Sequence, residues 1–242
     1  MSRARVALLL ILAGLAAPVG AQTGLELIEV SLRQHAPPVF LYREETLILS
    51  NNLGQHTVRT LRHYARNDEA GLRSLRTIET PVELRGIQIN VARDADGTGR
   101  RGADPTSQVF GSDFSVADLE DEQPQNFIYE RSADVELDRT PHRVVHALPR
   151  NEDVARATGY AERRIYLRKD NLFISRIDYQ DRRGRLARRE TFRDPRPYES
   201  GAWRPSMILM ENLRDNRRSL LKIERRVHSR DYVPVDVFAG LP

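Results

Sequence analysis

The run Arg163-Arg164-Ile165-Tyr166-Leu167-Arg168, the polar triplet Lys169-Asp170-Asn171 and the run Leu172-Phe173-Ile174-Ser175-Arg176-Ile177-Asp178-Tyr179 decide the fold class. Two segments rich in branched and aromatic residues flank three turn-forming residues, which is the pattern of an antiparallel hairpin. A second turn, Asp181-Arg182-Arg183-Gly184, passes the chain to a third strand-like run, Arg185 to Phe192. Further on, Trp203 to Asn212 is expected to pair with Ser219 to His228 across Arg214-Asp215-Asn216. Before the meander the same punctuation recurs. Val39 to Ser50 and His56 to Arg66 flank Asn51-Asn52-Leu53-Gly54, Leu72 to Glu79 stops at Pro81, and Ile87 to Val91 is a compact apolar strand. Phe127 to Leu137 and His142 to Leu148 form a pair around Asp138-Arg139-Thr140-Pro141. Helical spacing is confined to Gly24 to Gln34, which stops before Pro37-Pro38, and to the connector Asn151 to Gly159. The expected class is α+β, mainly β: a curled antiparallel sheet or partial barrel covered by short helices.

The first 21 residues read as a cleaved secretory signal. Arg3 and Arg5 precede an apolar stretch around Leu8 to Leu12, and Val19-Gly20-Ala21 supplies small residues ahead of Gln22. That apolar stretch is too short for a permanent membrane anchor, and no later run is long enough to span. Residues 22–242 are then expected to form a single domain in the periplasm. There is no cysteine, so a lipid-modified cysteine, a disulfide and a thiolate metal site are all excluded. All but two of the 38 basic residues are arginine, the exceptions being Lys169 and Lys222. Losing Arg3 and Arg5 takes the formal charge from +4 to +2, and acids interleave with the bases. Such a surface is solvated and does not point to nucleic acid.

Few constellations carry chemistry. His142 and His146 share a face, but Arg143 stands where a zinc protease helix requires glutamate. Asp94, Asp96 and Gly97 hint at a calcium loop, yet Ala92 and Ala103 fall on its first and last ligand positions, which leaves a hairpin turn. Asp113, Asp118, Glu120 and Asp121 form an acidic segment accounted for by helix-terminal charge and solvation. No cofactor motif is present. The surplus is apolar: Phe173, Ile177 and Tyr179 share one face of their strand, while Met207 with Leu209 and Ile208 with Met210 occupy opposite faces of theirs. A strand apolar on both sides is covered twice or lines a greasy cavity.

The mid-chain corner Phe110-Gly111-Ser112-Asp113-Phe114-Ser115-Val116-Ala117-Asp118-Leu119 has a glycine for a tight turn, and Ser115 with Asp118 gives a weak capping box. Gly111 to Phe114 with Asp118-Leu119, Gly184, Trp203-Arg204-Pro205, Met210-Glu211-Asn212 and Val233-Pro234-x-Asp236-x-Phe238 together resemble the outer-membrane lipoprotein-sorting proteins, relatives of the LolA and LolB carriers. The resemblance implies an unclosed half-barrel whose concave face is covered by helices around an apolar cavity. It also implies a carrier of acyl chains, lipids or lipoproteins, with no catalytic residue, no cofactor and an inner-membrane transporter as a possible partner. By face and family position, Phe110, Phe114, Phe173, Trp203, Met207 and Leu209 are expected in the cavity or its lid. Members of the family carry an aromatic, arginine-flanked strand before the corner. Here residues 91–109 lack aromatics, so a shortened or missing strand pair and a cavity wall left open or remodelled are expected. The competing readings are a periplasmic adaptor with a filled core and, third, a hydrolase.

Overall fold

The structure is a computed structural model and describes residues 22–241 apart from Thr98 and Glu199. The expected signal segment lies outside the described residues. Helix α1 (Gly24–Gln34) opens with a capping box in which Thr23 Oγ1 accepts from the Glu26 N–H and the Glu26 carboxylate accepts from the Thr23 N–H. Five strands follow: β1 (Phe40–Ser50), β2 (His56–Asp68), β3 (Gly71–Thr80), β4 (Gln88–Arg93) and β5 (Arg100–Gly102). After the mid-chain corner come β6 (Phe127–Arg131), β7 (Val135–Leu137), β8 (Thr140–Pro149), helix α2 (Glu152–Thr158), β9 (Glu162–Arg168), β10 (Ile174–Gln180) and β11 (Leu186–Arg193). The last strands are β12 (Arg196–Pro197), β13 (Trp203–Arg204), β14 (Met207–Asn212) and β15 (Arg217–Val227).

Among the described residues, thirteen strands form one antiparallel sheet in the order β5-β4-β3-β2-β1-β15-β14-β11-β10-β9-β8-β6, with β7 beside β8. Its ends, β5 and β6, do not pair with each other, so the sheet stays open. The two meanders read from the sequence are joined by β1 and β15, with Tyr42 opposite Val227 and Ser50 opposite Arg218. Phe127 to Leu137 is interrupted: strand pairing with β8 stops after Arg131, where the Ser132 N–H still donates to the Val144 carbonyl at 2.9 Å, and resumes at Val135. Trp203 and Arg204 also depart from the expected hairpin. They pair with Arg196 and Pro197 in a separate two-stranded ribbon, and only Met207 onward joins the main sheet.

One side of the sheet holds the core: Leu47, Leu61, Ile78, Ile165, Ile177, Met210 and Leu221 pack there with Leu27 and Ile28 of α1. Leu27 and Ile28 are fully buried, so α1 covers this side. Gly24 permits its close approach, since a Cβ there would lie 2.8 Å from the Tyr129 carbonyl oxygen of β6. The corner folds around Phe114, which is fully buried, and Phe110, which adopts φ 50° while its ring is buried. Gly111 follows at φ 74°. Ser115 and Asp118 make the reciprocal capping bonds, with Ser115 N–H to Asp118 Oδ2 at 2.7 Å and Asp118 N–H to Ser115 Oγ at 3.3 Å.

Candidate functional site

The acidic segment after the corner is not a solvated surface. Its carboxylates, Asp121 apart, fasten it across the sheet. Asp113 accepts from Arg217 at 2.7 Å, Ser219 Oγ at 2.9 Å and Asn212 at 3.2 Å. Two stretches that carry the family resemblance, the corner and Met210 to Asn212, therefore touch. Asp118 takes Arg188 of β11 at 3.0 Å and the Tyr160 hydroxyl. Glu120 binds Arg93 of β4 and Arg100 of β5 (2.7 Å from the latter), and Glu122 takes Arg163 of β9 through two bonds of 2.9 and 2.7 Å. Arg163 also stacks 3.9 Å from the Phe127 ring centroid. Charge-assisted, two-pronged contacts of this kind fix geometry as well as energy. The result is a strap, residues 113–122, pinned to both halves of the sheet.

Between strap, α1, α2 and sheet lies a cavity of about 440 Å³, within the ~300–1,000 Å³ typical of small-molecule sites. Its apolar wall contains Leu32, Leu41, Ala65, Phe173, Ile174, Ile177, Phe192 and Ile208. Ile174 and Ile177 both reach it because the β9–β10 register shifts between Ile174 and Arg176. The floor at β1 to β3 is charged. Glu45, 1% exposed, lies 2.8 Å from Arg43 and 3.5 Å from Arg76. Burial favours its neutral acid, but the two guanidiniums prevail and hold the carboxyl below its usual range. His63 accepts from Arg43 at Nδ1 (2.7 Å) and meets Ser74 Oγ at Nε2 (3.0 Å). Burial and the neighbouring Arg76 and Arg43 push its pKa down to about 3, so the imidazole is neutral. At the C-terminus of α1, Trp203 N–H donates to His35 Nδ1 (3.1 Å), while His35 Nε2 donates to the Asn171 carbonyl (2.9 Å), a pattern that requires the neutral ring. Arg204 donates to the His35 and Ala36 carbonyls, ending the helix with a cation as its dipole favours.

Comparison with known proteins places this geometry. A family model described as an uncharacterized protein matches residues 98–239, and no curated protein matches the sequence. The chain belongs to that family. A DUF1329 family protein from Desulfovibrio piger is similar at TM-score 0.75 and 16% identity, over 90% of this chain and 97% of that one. A domain assigned to the outer membrane lipoprotein-sorting proteins, from Vibrio parahaemolyticus, gives 0.72 and 16%, over 86% and 95%. A LolA superfamily protein from Nitrosomonas europaea gives 0.67 and 13%, over 90% and 100%. The fold is LolA-like.

In this LolA-like frame, Phe173 and Trp203 line the cavity, and Ile208 does so from β14. Phe110 and Phe114 are core residues under the corner. Met207 and Leu209 alternate with Ile208 and Met210, and it is the latter pair that joins the core. The segment between 91 and 109 forms the short β4–β5 hairpin, with Val91, Arg93 and Arg100 in the cavity wall. Sequence reading did not find Arg43, Glu45, His63, Arg76, Asp121 or Glu190 as a group. The one available signal was the placing of Arg43 and Glu45 among Leu41, Leu47 and Leu49 at period two.

Glu190 is the second buried acid. It is 1% exposed, accepts from the Tyr179 hydroxyl at 2.7 Å, and its Oε1 has no hydrogen-bond partner among the described residues. Burial, reinforced by Asp118, pushes its pKa up to about 8, against 4.5 for an ordinary glutamate. The folded protein therefore keeps a proton that the unfolded chain releases. Stability from this group is complete below pH 4.5 and is lost as pH rises toward about 8, at up to ~1.4 kcal/mol per pH unit. Glu190→Gln, neutral at every pH, is expected to gain stability relative to the parent across that interval. Urea unfolding at about pH 5 and about pH 8 checks this, and a pH-independent difference would remove the assignment.

Proposed function

We propose that the protein is a non-enzymatic periplasmic carrier that takes an acyl chain, free or on a lipid or lipoprotein, into this cavity for transport toward the outer membrane. The carrying observation is the continuous apolar wall of Leu41, Phe173, Ile177, Phe192 and Ile208 beneath a pinned strap. Similarity to a lipoprotein-sorting domain supports the same reading. A dozen methylenes at ~0.8 kcal/mol each would contribute at most ~10 kcal/mol, enough to compete with a membrane for one chain. The commitment of Asp118, Glu120 and Glu122 to arginines supports a site without acid–base chemistry. Among the described residues, no helix is long and apolar enough to cross a membrane.

Native mass spectrometry with lipid extraction of the protein purified from cells tests the proposal. The expected result is an acyl-containing molecule in fixed ratio to protein. A clean apo mass, with no uptake of a fluorescent acyl probe, would favour an adaptor with a cavity that stays empty.

A further inference from the structure

The register of the first meander sets four side chains in a row across the sheet. Arg226 of β15 stands opposite Arg43 of β1, Arg43 opposite His63 of β2, and His63 opposite Arg76 of β3. All four line the cavity. Directly paired residues on neighbouring strands have Cβ atoms ~4.5–5.5 Å apart, and like charges so placed repel. A fold with no use for this row would be expected to break it up. Among the described residues, only Glu45 lies within ion-pair distance of the row, and it is shared between Arg43 and Arg76. Arg226 donates to the Tyr198 hydroxyl and the Pro205 carbonyl, and Arg204 donates to carbonyls of residues 35, 36 and 203. Neither has a carboxylate within ion-pair distance among the described residues.

The field of the row is visible in its neighbours. His228 is held below its ordinary pKa first by burial and then by Arg226, Arg204 and Arg43. Asp121 completes the picture. In the strap, Asp113, Asp118, Glu120 and Glu122 each have an arginine partner. Asp121 has none within 4 Å among the described residues; it is an exposed residue at the cavity lining, and Arg204, Arg93 and Arg43 are the cations whose charge acts on it. It is a loosely held anion at the cavity lining, near the guanidiniums.

We infer that the cavity selects an anionic amphiphile, whose carboxylate or phosphate docks on Arg204, Arg226 and Arg43 in place of Asp121 while its chain lies along Phe173, Ile177 and Ile208. This rests on the carrier reading and narrows it. The polar end is supplied by the arginines and the apolar end by the strands opposite, so ligand orientation follows from charge. Neutral acylglycerols lose the polar half of the contact. Free anions lose the apolar half.

Calorimetric titration of the purified protein with four probes tests this: laurate, lauroyl lysophosphatidylglycerol, monolaurin and inorganic phosphate. Laurate or the lysophospholipid is expected to bind about ten- to a hundred-fold tighter than monolaurin, the range for gaining a charge-assisted hydrogen bond. Their order separates a fatty acid from a phospholipid. Arg204→Gln with Arg226→Gln, folded by circular dichroism, is expected to erase the preference by lowering laurate and lysophospholipid affinity to that of monolaurin. Asp121→Asn is a milder second probe and is expected to tighten laurate several-fold. Equal affinity for laurate, lysophospholipid and monolaurin, or a preference that survives the double variant, overturns the headgroup site and leaves the carrier intact. Phosphate binding as tightly as the lysophospholipid overturns the amphiphile. Failure of all four probes overturns the carrier reading itself.

Discussion

Glu45→Gln is expected to lower the unfolding free energy by about 3–5 kcal/mol, the usual cost of removing one member of a buried charge cluster. The side chain is 1% exposed and lies within 4 Å of Arg43, Arg76 and His63. Glutamine keeps the shape and removes the negative charge that Arg43 and Arg76 share. Two guanidiniums are then left in the interior with a neutral imidazole that cannot balance them. The burial cost of Arg43 already shows in its pKa, which desolvation lowers to about 10 even with Glu45 present. Urea unfolding measures the loss. A second variant separates charge from packing: adding Arg43→Met and Arg76→Met to Glu45→Gln should recover most of it, because buried charge clusters exchanged whole for apolar groups are often neutral. A cost below ~1 kcal/mol for Glu45→Gln would mean that water reaches the cluster.

The largest effect on binding is expected from Ala65→Trp. Ala65 lines the cavity from β2, opposite Leu41 on one side and Ser74 on the other. An indole there enters existing space and excludes an equal length of acyl chain. Displacing about four methylenes at ~0.8 kcal/mol each gives ~3 kcal/mol, or a ~100-fold loss of affinity. Met207→Gln, on the other face of β14, should leave binding unchanged. Displacement of a fluorescent acyl probe reads both. Unchanged binding in Ala65→Trp would place the ligand outside the cavity.

Much of the architecture could be read from the chain because it depends on local signals. The turn at Lys169 to Asn171, the turn before Gly184 and the helix Gly24–Gln34 each carry their own punctuation. Trp203 was less legible. Its branched and aromatic run continues into Met207, and only the Arg196–Arg204 ribbon pulls it away to dock on α1. On β14, apolar residues on both faces erase the alternation that would tell inside from outside, so Met207 and Leu209 could not be distinguished from Ile208 and Met210. The charged floor was harder still. Arg43, His63, Arg76 and Arg226 are far apart in sequence and meet only through strand register, which no local pattern encodes. For the same reason the acids of the strap looked solvated, because their arginine partners come from five different strands.

The seam between β1 and β15 also governs how the chain can fold. Tyr42 waits for Val227, 185 positions later, and contacts of such separation carry a large loop-closure entropy and slow folding. Until β15 arrives, the first meander presents the whole of β1 as a bare edge, with Leu47 and Leu49 on it. Bare edges of this length recruit other chains. A polypeptide emerging from its amino terminus would therefore hold its half-sheet open to aggregation for almost the entire time of its synthesis, and truncations that remove β15 are expected to be insoluble, not merely less stable.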